Sequence, residues 1–260
     1  MIPAHLLSVA ENANTHQPLE PGDERIENDR FVLWMGTGDH PSWNVVQRLR
    51  LRDDEVDATL AEAHELLLSR GRGACTWEVG SSATPADLVE QLLARGLVDD
   101  ADPDVIGMLM TEPPPTPAAA IEARPARDFD EFAAALRVAG TAFGMQDELR
   151  DETANRLRYE NERALGHRTT FVALLDGEIV GSASSTYVEG AVTLNGGAVL
   201  PDARSRGVYR ALVAARWDDA VGRGTPALVT QAGRMSAPIL TRLGFREVTR
   251  IRVLVDRFGS

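Results

Sequence analysis

The sequence predicts an α/β fold, with mixed α+β sheets, arranged as two domains in tandem. Three observations carry this. The 260 residues, 43% of them hydrophobic, suffice for one large core or two of ordinary size. The stretch Glu112 to Ala120, EPPPTPAAA, has four prolines in nine residues, which remove backbone donors and favour an extended linker. On either side of it, in 1–111 and in 121–260, short strand patterns alternate with helical ones, as expected of sheets covered by helices.

The second stretch opens with Ile121-Glu-Ala-Arg-Pro125, a short strand. Asp128 is placed to cap a helix running to about Ala139, with Glu131 three residues on completing the capping pattern. A second helix is expected over Glu148 to Leu165. Phe171 to Leu175, the turn Asp176-Gly177 and Ile179 to Tyr187 read as an antiparallel hairpin, and Glu189-Gly190 turns into a third strand, Val192 to Leu200. Beyond Pro201 come a helix from about Gly207 to Gly222, a strand at Ala227 to Thr230, a short helix at Ser236 to Leu243, and strands over Phe245 to Asp256.

The first stretch repeats the later part of this order. Phe31 to Met35 reads as a strand, Glu55 to Arg70 as a helix, Ala74 to Val79 as a strand, Pro85 to Leu93 as a helix and Ile106 to Met110 as a strand. Cys75-Thr-Trp-Glu-Val79 followed by Pro85 to Leu97 parallels Ala227-Leu-Val-Thr-Gln231 followed by Pro238 to Phe245, which points to an internal duplication. Thr37 to Asp54 has no arginine- and glycine-rich turn, so the first copy is expected to lack a ligand loop.

Composition narrows the function. Residues 1–116 hold 21 acidic residues against 8 arginines, and 117–260 hold 18 against 19. All 27 basic residues are arginine, which excludes lysine Schiff-base chemistry. An acidic first half disfavours a nucleic-acid partner and favours cationic ones. The single cysteine, Cys75, excludes an intrachain disulfide, and the five histidines show no metal-ligand spacing, so no metal is expected. With no secretion-type N-terminus and no long apolar run, a cytoplasmic location without membrane contact is expected.

The chemistry concentrates in Gly197-Ala-Val-Leu-Pro-Asp-Ala-Arg204-Ser-Arg206-Gly207-Val-Tyr209-Arg210. A strand end, a polar turn and a helix start present unpaired N–H groups and the positive end of a helix dipole, a natural seat for phosphate. Gly207 lets the backbone approach a phosphate closely, and Arg204, Arg206 and Arg210 add positive charge in the same turn.

Arg204-Ser-Arg-Gly207-Val-Tyr209 resembles the cofactor loop of the GNAT acetyltransferases, Q/R-x-x-G-x-G/A, with Tyr209 in place of the last small residue. Ser236-Ala-Pro-Ile-Leu-Thr-Arg-Leu-Gly-Phe245 is similar to that family's last helix running into L-G-F. The resemblance spans roughly the 140 residues after the linker. It implies the GNAT-like acyl-CoA N-acyltransferase fold, in tandem with a degenerate first copy over 1–111. It also implies acetyl-CoA as co-substrate, held by Arg204, Ser205, Arg206, Gly207, Val208, Tyr209 and Arg210. The backbone of Ala198, Val199 and Leu200 would pair with the pantetheine arm after a bulge at Asn195-Gly196-Gly197, and Gln231 would hold either the pantetheine or the acceptor. Tyr209 either displaces the adenosine end or stacks beside it.

The catalytic positions depart from the family. Its base position falls on Thr193 and its tyrosine acid on Leu240, neither of which does that work. Substitutes are Thr193 and Asn195, two apart on one strand face, with Gln231, holding a water; Tyr187 as acid or pocket wall; Glu189 as base; and Ser236, either capping the last helix or donating to the departing sulfur. The expected reaction moves an acetyl group to the primary amine of a small molecule, such as a cationic amine or an antibiotic, or of a protein, by a monomer or homodimer. Two other readings stay open: a non-catalytic acyl-CoA-binding regulatory or scaffold module, and an interaction protein whose arginine turn only caps a helix.

Overall fold

A computed structural model describes residues 2–38, 40–117, 120–144 and 151–259. In chain order the elements are α1 (Ala4–Glu11), α2 (Ala13–His16), β1 (Glu24–Glu27), β2 (Val32–Met35), β3 (Asn44–Gln47), α3 (Val56–Leu68), β4 (Ala74–Gly80), α4 (Leu88–Ala94) and β5 (Val98–Met110). Next come β6 (Ile121–Pro125), α5 (Phe129–Phe143), α6 (Glu152–Leu165), β7 (Arg168–Leu175), β8 (Glu178–Val188), β9 (Ala191–Val199), α7 (Val208–Gly222), β10 (Leu228–Ala232), α8 (Ala237–Arg242) and β11 (Arg246–Arg257). No helix among the described residues is long and apolar enough to cross a membrane.

The chain forms two compact units that are not consecutive stretches. One comprises 1–108, 231–239 and 247–260, the other 109–230 and 240–246. The change at 108/109 lies just before the proline-rich stretch, part of which, Ala118 and Ala119, falls outside the described residues. Residues 121–260 are therefore not a single unit, because the closing strand β11 belongs with the first.

In the first unit the strand order is β1-β2-β3-β4-β11-β5. β3 and β4 run parallel, joined by the crossover α3, and β11 pairs antiparallel with β4 from Ile251↔Gly80 to Arg257↔Ala74. Side chains fix β11 there. Arg252 bonds Asp99 and Asp104 of β5, and Asp256 accepts from Trp77 Nε1 and lies 2.7 Å from His64 Nε2. The core packs Phe31, Leu33, Leu60, Leu67, Trp77 and Leu92 between this sheet and α3 and α4. Cys75 is buried in it, and burial pushes its thiol far up, out of reach of thiolate chemistry.

Several of these elements escaped the sequence reading. Strand β5 begins at Val98, not Ile106. Its first half is acid-rich and contains Pro103, so it reads as loop until Arg252 neutralises two of its aspartates. Helix α1 and strands β1 and β3 are too short to give a period.

The end of α1 carries a buried polar cluster. Glu11 accepts from Thr249 Oγ1 at 2.7 Å and bonds Ser82, while Gln231 Nε2 reaches the Ala10 and Glu11 carbonyls and bonds the Glu78 side chain. Glu78 Oε2 is buried without a partner, and burial pushes the carboxyl from its ordinary 4.5 to about 7.

In the second unit the order is β10-β9-β8-β7-β6, antiparallel except for β9 and β10. The parallel pair β9/β10, joined by α7, repeats the β3/α3/β4 arrangement of the first unit, as the internal parallel predicts. Residues Ile121, Phe171, Ala173, Ala183, Val208 and Leu212 pack the sheet against α7. Asp128 caps α5 as expected, its side chain accepting from Glu131 N at 2.9 Å. Glu131 in turn is bonded by Arg124 and the Arg127 N–H, which hold its carboxyl down at about 2. The expected helix start at Glu148 lies outside the described residues; α6 is capped by Asp151, which accepts from Thr153 N and Ala154 N.

Asp128→Ala leaves the first turn of α5 uncapped and lowers unfolding free energy by about 1 kcal/mol, measurable by chemical denaturation. For Glu78 the folded pKa lies above the unfolded one. As pH rises from 4.5 towards 7 the unfolded chain releases a proton that the folded chain retains, so stability falls across that window and stays lower above it. Glu78→Gln removes this titration: it raises stability at pH 8 by on the order of 2 kcal/mol and changes it little at pH 4. Thermal melts at the two pH values check it, and an equal effect at both refutes it.

Candidate functional site

The site lies in the second unit, where β9 leaves its partner. The parallel register with β10 comprises Leu228↔Val192 and Val229↔Thr193, extended by Thr230 Oγ1 donating to Leu194 O at 3.2 Å. Past Leu194, no ladder pair with β10 continues among the described residues. Burial changes at the same place: Ala191 to Leu194 are buried, and Asn195 to Gly197 are half-buried or exposed. The register with β8 shifts between Ser182 and Ser184, and Gly196 takes a φ of +58°. This is the bulge expected at Asn195-Gly196-Gly197.

Of the three residues expected to offer backbone groups, Leu200 spends its N–H on Val180 O at 2.9 Å, and Ala198 pairs with Ser182. Strand alternation therefore turns the peptide groups of Val199 outward, and its carbonyl accepts from Arg204 Nε at 3.4 Å. Arg204 is thereby laid along the open edge of β9.

After a 3-10 turn at Pro201–Ala203 the loop reverses through Ser205 (φ +61°) and Gly207 (φ +90°), and α7 begins at Val208. A residue at φ +90° wants no Cβ, which accounts for glycine at 207. The first N–H of α7 with a backbone acceptor is that of Ala211, to Gly207 O; those of Gly207 to Arg210 have none among the described residues. Arg204, Ser205, Arg206 and Arg210 are exposed around these donors, and Arg206 has only a loose contact with Asp176 at 3.8 Å. Free amides, a helix dipole and three solvent-facing guanidiniums make an anion seat.

Tyr209 turns away from this seat. A Cβ built on Gly197 would lie 2.6 Å from Tyr209 Cε2, so the ring sits where only glycine permits it. Its side chain bonds Arg216, which is 1% exposed, and Arg216 also donates to Leu212 O and Ser184 O. Burial lowers the proton affinity of this guanidinium, and its Nη2 has no partner. Tyr209 is thus half-buried against β9 and does not intrude on the loop. Sequence reasoning missed Arg216, although its spacing of seven from Tyr209 puts both on one helix face.

The catalytic candidates are scattered. Thr193 and Asn195 share a face, as expected, and both are tied to Thr186: Thr193 Oγ1 donates to its carbonyl at 3.2 Å, and Asn195 Nδ2 to its hydroxyl at 3.1 Å. Tyr187 follows Thr186 and so lies on the opposite face. There its hydroxyl donates to Asp219 Oδ2 at 2.6 Å beneath the Arg223 guanidinium, and burial together with Asp219 pushes the phenol well above its usual range. Tyr187 pins α7 and is not brought together with Asn195. Glu189 is exposed in its turn, and Leu240 is core, 2% exposed. Gln231 and Ser236 fall in the first unit's part of the chain: Gln231 is engaged at the end of α1, and Ser236 Oγ donates to Gly233 O.

The first unit treats the equivalent place oppositely. Beyond β3 and β4, Leu51 N donates to Thr84 O and Thr84 N to Leu49 O, closing the strands. The start of α3 carries Asp53, Asp54, Glu55 and Asp57, which repel an anion.

Residues 133–245 match the model of the acetyltransferase (GNAT) family. The whole fold is shared with solved structures: a GCN5-related N-acetyltransferase from Kribbella flavida (18% identity, TM-score 0.73, 98% of this chain and 96% of that one) and one from Sphaerobacter thermophilus (18%, 0.65, 99% and 92%). A tandem GNAT protein from the clavulanic acid biosynthesis pathway is similar over 99% of this chain and 89% of its own (18%, 0.64). No curated protein is detectably similar in sequence.

Gly197→Ala forces Tyr209 off its seat and destabilises the protein by about 1–3 kcal/mol. The same change made in a Tyr209→Ala background costs much less, and a double-mutant cycle measures the difference. Equal costs in both backgrounds would show that Tyr209 does not rest on Gly197.

Proposed function

We propose that this chain, which carries an acetyltransferase domain of the GNAT family over residues 133–245, transfers an acetyl group from acetyl-CoA to a primary amine. The observation that carries the proposal is the junction of an unpaired strand edge with an unsatisfied helix N-terminus. Val199 offers outward peptide groups, as a strand-like arm requires, and the free N–H groups of Gly207 to Arg210, ringed by Arg204, Arg206 and Arg210, suit a pyrophosphate.

The bound co-substrate supplies an activated thioester. The amine nitrogen forms a bond to the carbonyl carbon, the carbon–sulfur bond breaks, the sulfur leaves as thiolate and takes a proton, and the amine gives one up. The chain's own groups orient and do not ionise. Asn195 Oδ1 is without a partner among the described residues and accepts an amine N–H, while proton removal is left to water, since Thr193 has given its hydroxyl to Thr186. Among the described residues no acid or base is positioned, which favours a second reading, an acyl-CoA-binding module without turnover; amine-dependent thiol release separates it from the first.

Gly207→Glu puts a carboxylate among the free amides and abolishes acetyl-CoA binding in calorimetry, while Arg204→Gln and Arg210→Gln each weaken it by about tenfold without unfolding risk at exposed positions. If the unaltered protein does not bind acetyl-CoA, the proposal falls.

A further inference from the structure

The face of β7, β8 and β9 that carries Asn195 has an unusual charge arrangement. Beside the apolar Val172, Ala191 and Ala198, its buried positions include four hydroxyls, Ser182, Ser184, Thr186 and Thr193, where a sheet under a helix ordinarily places apolar side chains. They are linked: Arg168 Nη2 donates to Ser184 Oγ at 3.0 Å, Ser184 Oγ lies 3.5 Å from Asn195 O, and Asn195 Nδ2 donates to Thr186 Oγ1. Arg168 therefore stands two contacts from the residue at which the open edge of β9 begins.

Arg168 is exposed and has no carboxylate partner among the described residues, in contrast to Arg95, Arg124, Arg223 and Arg252. Among the described residues, four of its five N–H donors have no hydrogen-bond partner. Glu162, the carboxylate bonded to this face, has both oxygens occupied by the Thr170 N–H and hydroxyl. An acceptor entering here meets a guanidinium without an ion-pair partner and an amide oxygen without a partner among the described residues, while the carboxylate of Glu162 is turned onto Thr170.

We propose that the acceptor is an amine with a carboxylate close to its nitrogen, of the α-amino acid type, whose carboxylate is received by Arg168 and whose amine N–H by Asn195 Oδ1. This rests on the acyl-transfer reading above and names its substrate class. A guanidinium fork matches a carboxylate in shape and charge, whereas an acceptor carrying only positive charge faces Arg168 uncompensated. The chemistry of the site agrees: among the described residues none is poised as a base, and an amine α to a carboxyl carbon is less basic than an alkylamine, so more of it is neutral and ready to attack.

The test measures thiol release from acetyl-CoA with a panel of amino acids, their amides and the corresponding decarboxylated amines. The amides keep a weakly basic amine and lack the carboxylate, which separates recognition from basicity. For the best acceptor, kcat/KM of the acid is expected to exceed that of its amide and its amine by about tenfold or more. Arg168→Gln removes the preference by raising KM for the acid to the level of its amide, and Arg168→Lys restores part of it. Amides or simple amines used as well as acids, or a preference that survives Arg168→Gln, overturns the inference alone; acetyl-CoA binding with no transfer to any member overturns it and favours the binding module without turnover. Absence of acetyl-CoA binding in calorimetry overturns the acyl-transfer reading as well, so the two failures are distinguishable.

Discussion

The structure of the second unit turns on the unpaired edge of β9. A strand inside a sheet normally fills both rows of backbone hydrogen bonds, and β9 does so only as far as Leu194. Beyond that point Gly196 adopts a left-handed φ, the register with β8 slips, and the peptide groups of Val199 face outward. The next ten residues are arranged around this opening. Arg204 is held to the Val199 carbonyl, Gly207 starts α7 with its first amides free, and Tyr209 locks the first turn of that helix onto Gly197.

Locking the helix through an aromatic ring over glycine ties the anion seat to the strand edge. Arg216 extends the lock inward, bonding Tyr209, Leu212 O and Ser184 O from a position with almost no solvent. A buried guanidinium without a carboxylate is costly, and its hydrogen bonds to fixed carbonyls offset part of that cost. Tyr187, Asp219 and Arg223 secure the far half of the same helix. Tyr187, which looked like a catalytic substitute, therefore serves to position α7.

The two units show the same topological device with opposite electrostatics. Each has a strand, a crossover helix and a parallel strand, but the first seals the gap between its strands with Leu49, Leu51 and Thr84 and places acids at the helix start. The strong negative charge of the first half is also partly spent internally: Asp99 and Asp104 on Arg252, Asp57 on Arg95, and Glu24 on Arg70.

Local signals were readable because they act over a few residues. The Asp128 cap, the Asp176-Gly177 and Glu189-Gly190 turns, the bulge at Gly196 and the strand-to-helix loop at Gly207 each depend on backbone conformations that their own side chains select, and each stands where the sequence places it. The alternation of elements and their duplicated order were legible for the same reason, since both follow from periodicity and turn chemistry. The acid-rich start of β5 could not be read, because its strand state depends on Arg252, about 150 positions away. Long-range contacts also settled where β11 pairs, that Gln231 and Ser236 belong to a different unit from Thr193 and Asn195, that Tyr187 faces away from them, and that Arg168 stands unneutralised beside the open edge. A strand's pattern specifies which residues share a face but not which neighbour completes its hydrogen bonds, and how far a side chain's charge stays available depends on whether an opposite charge folds against it.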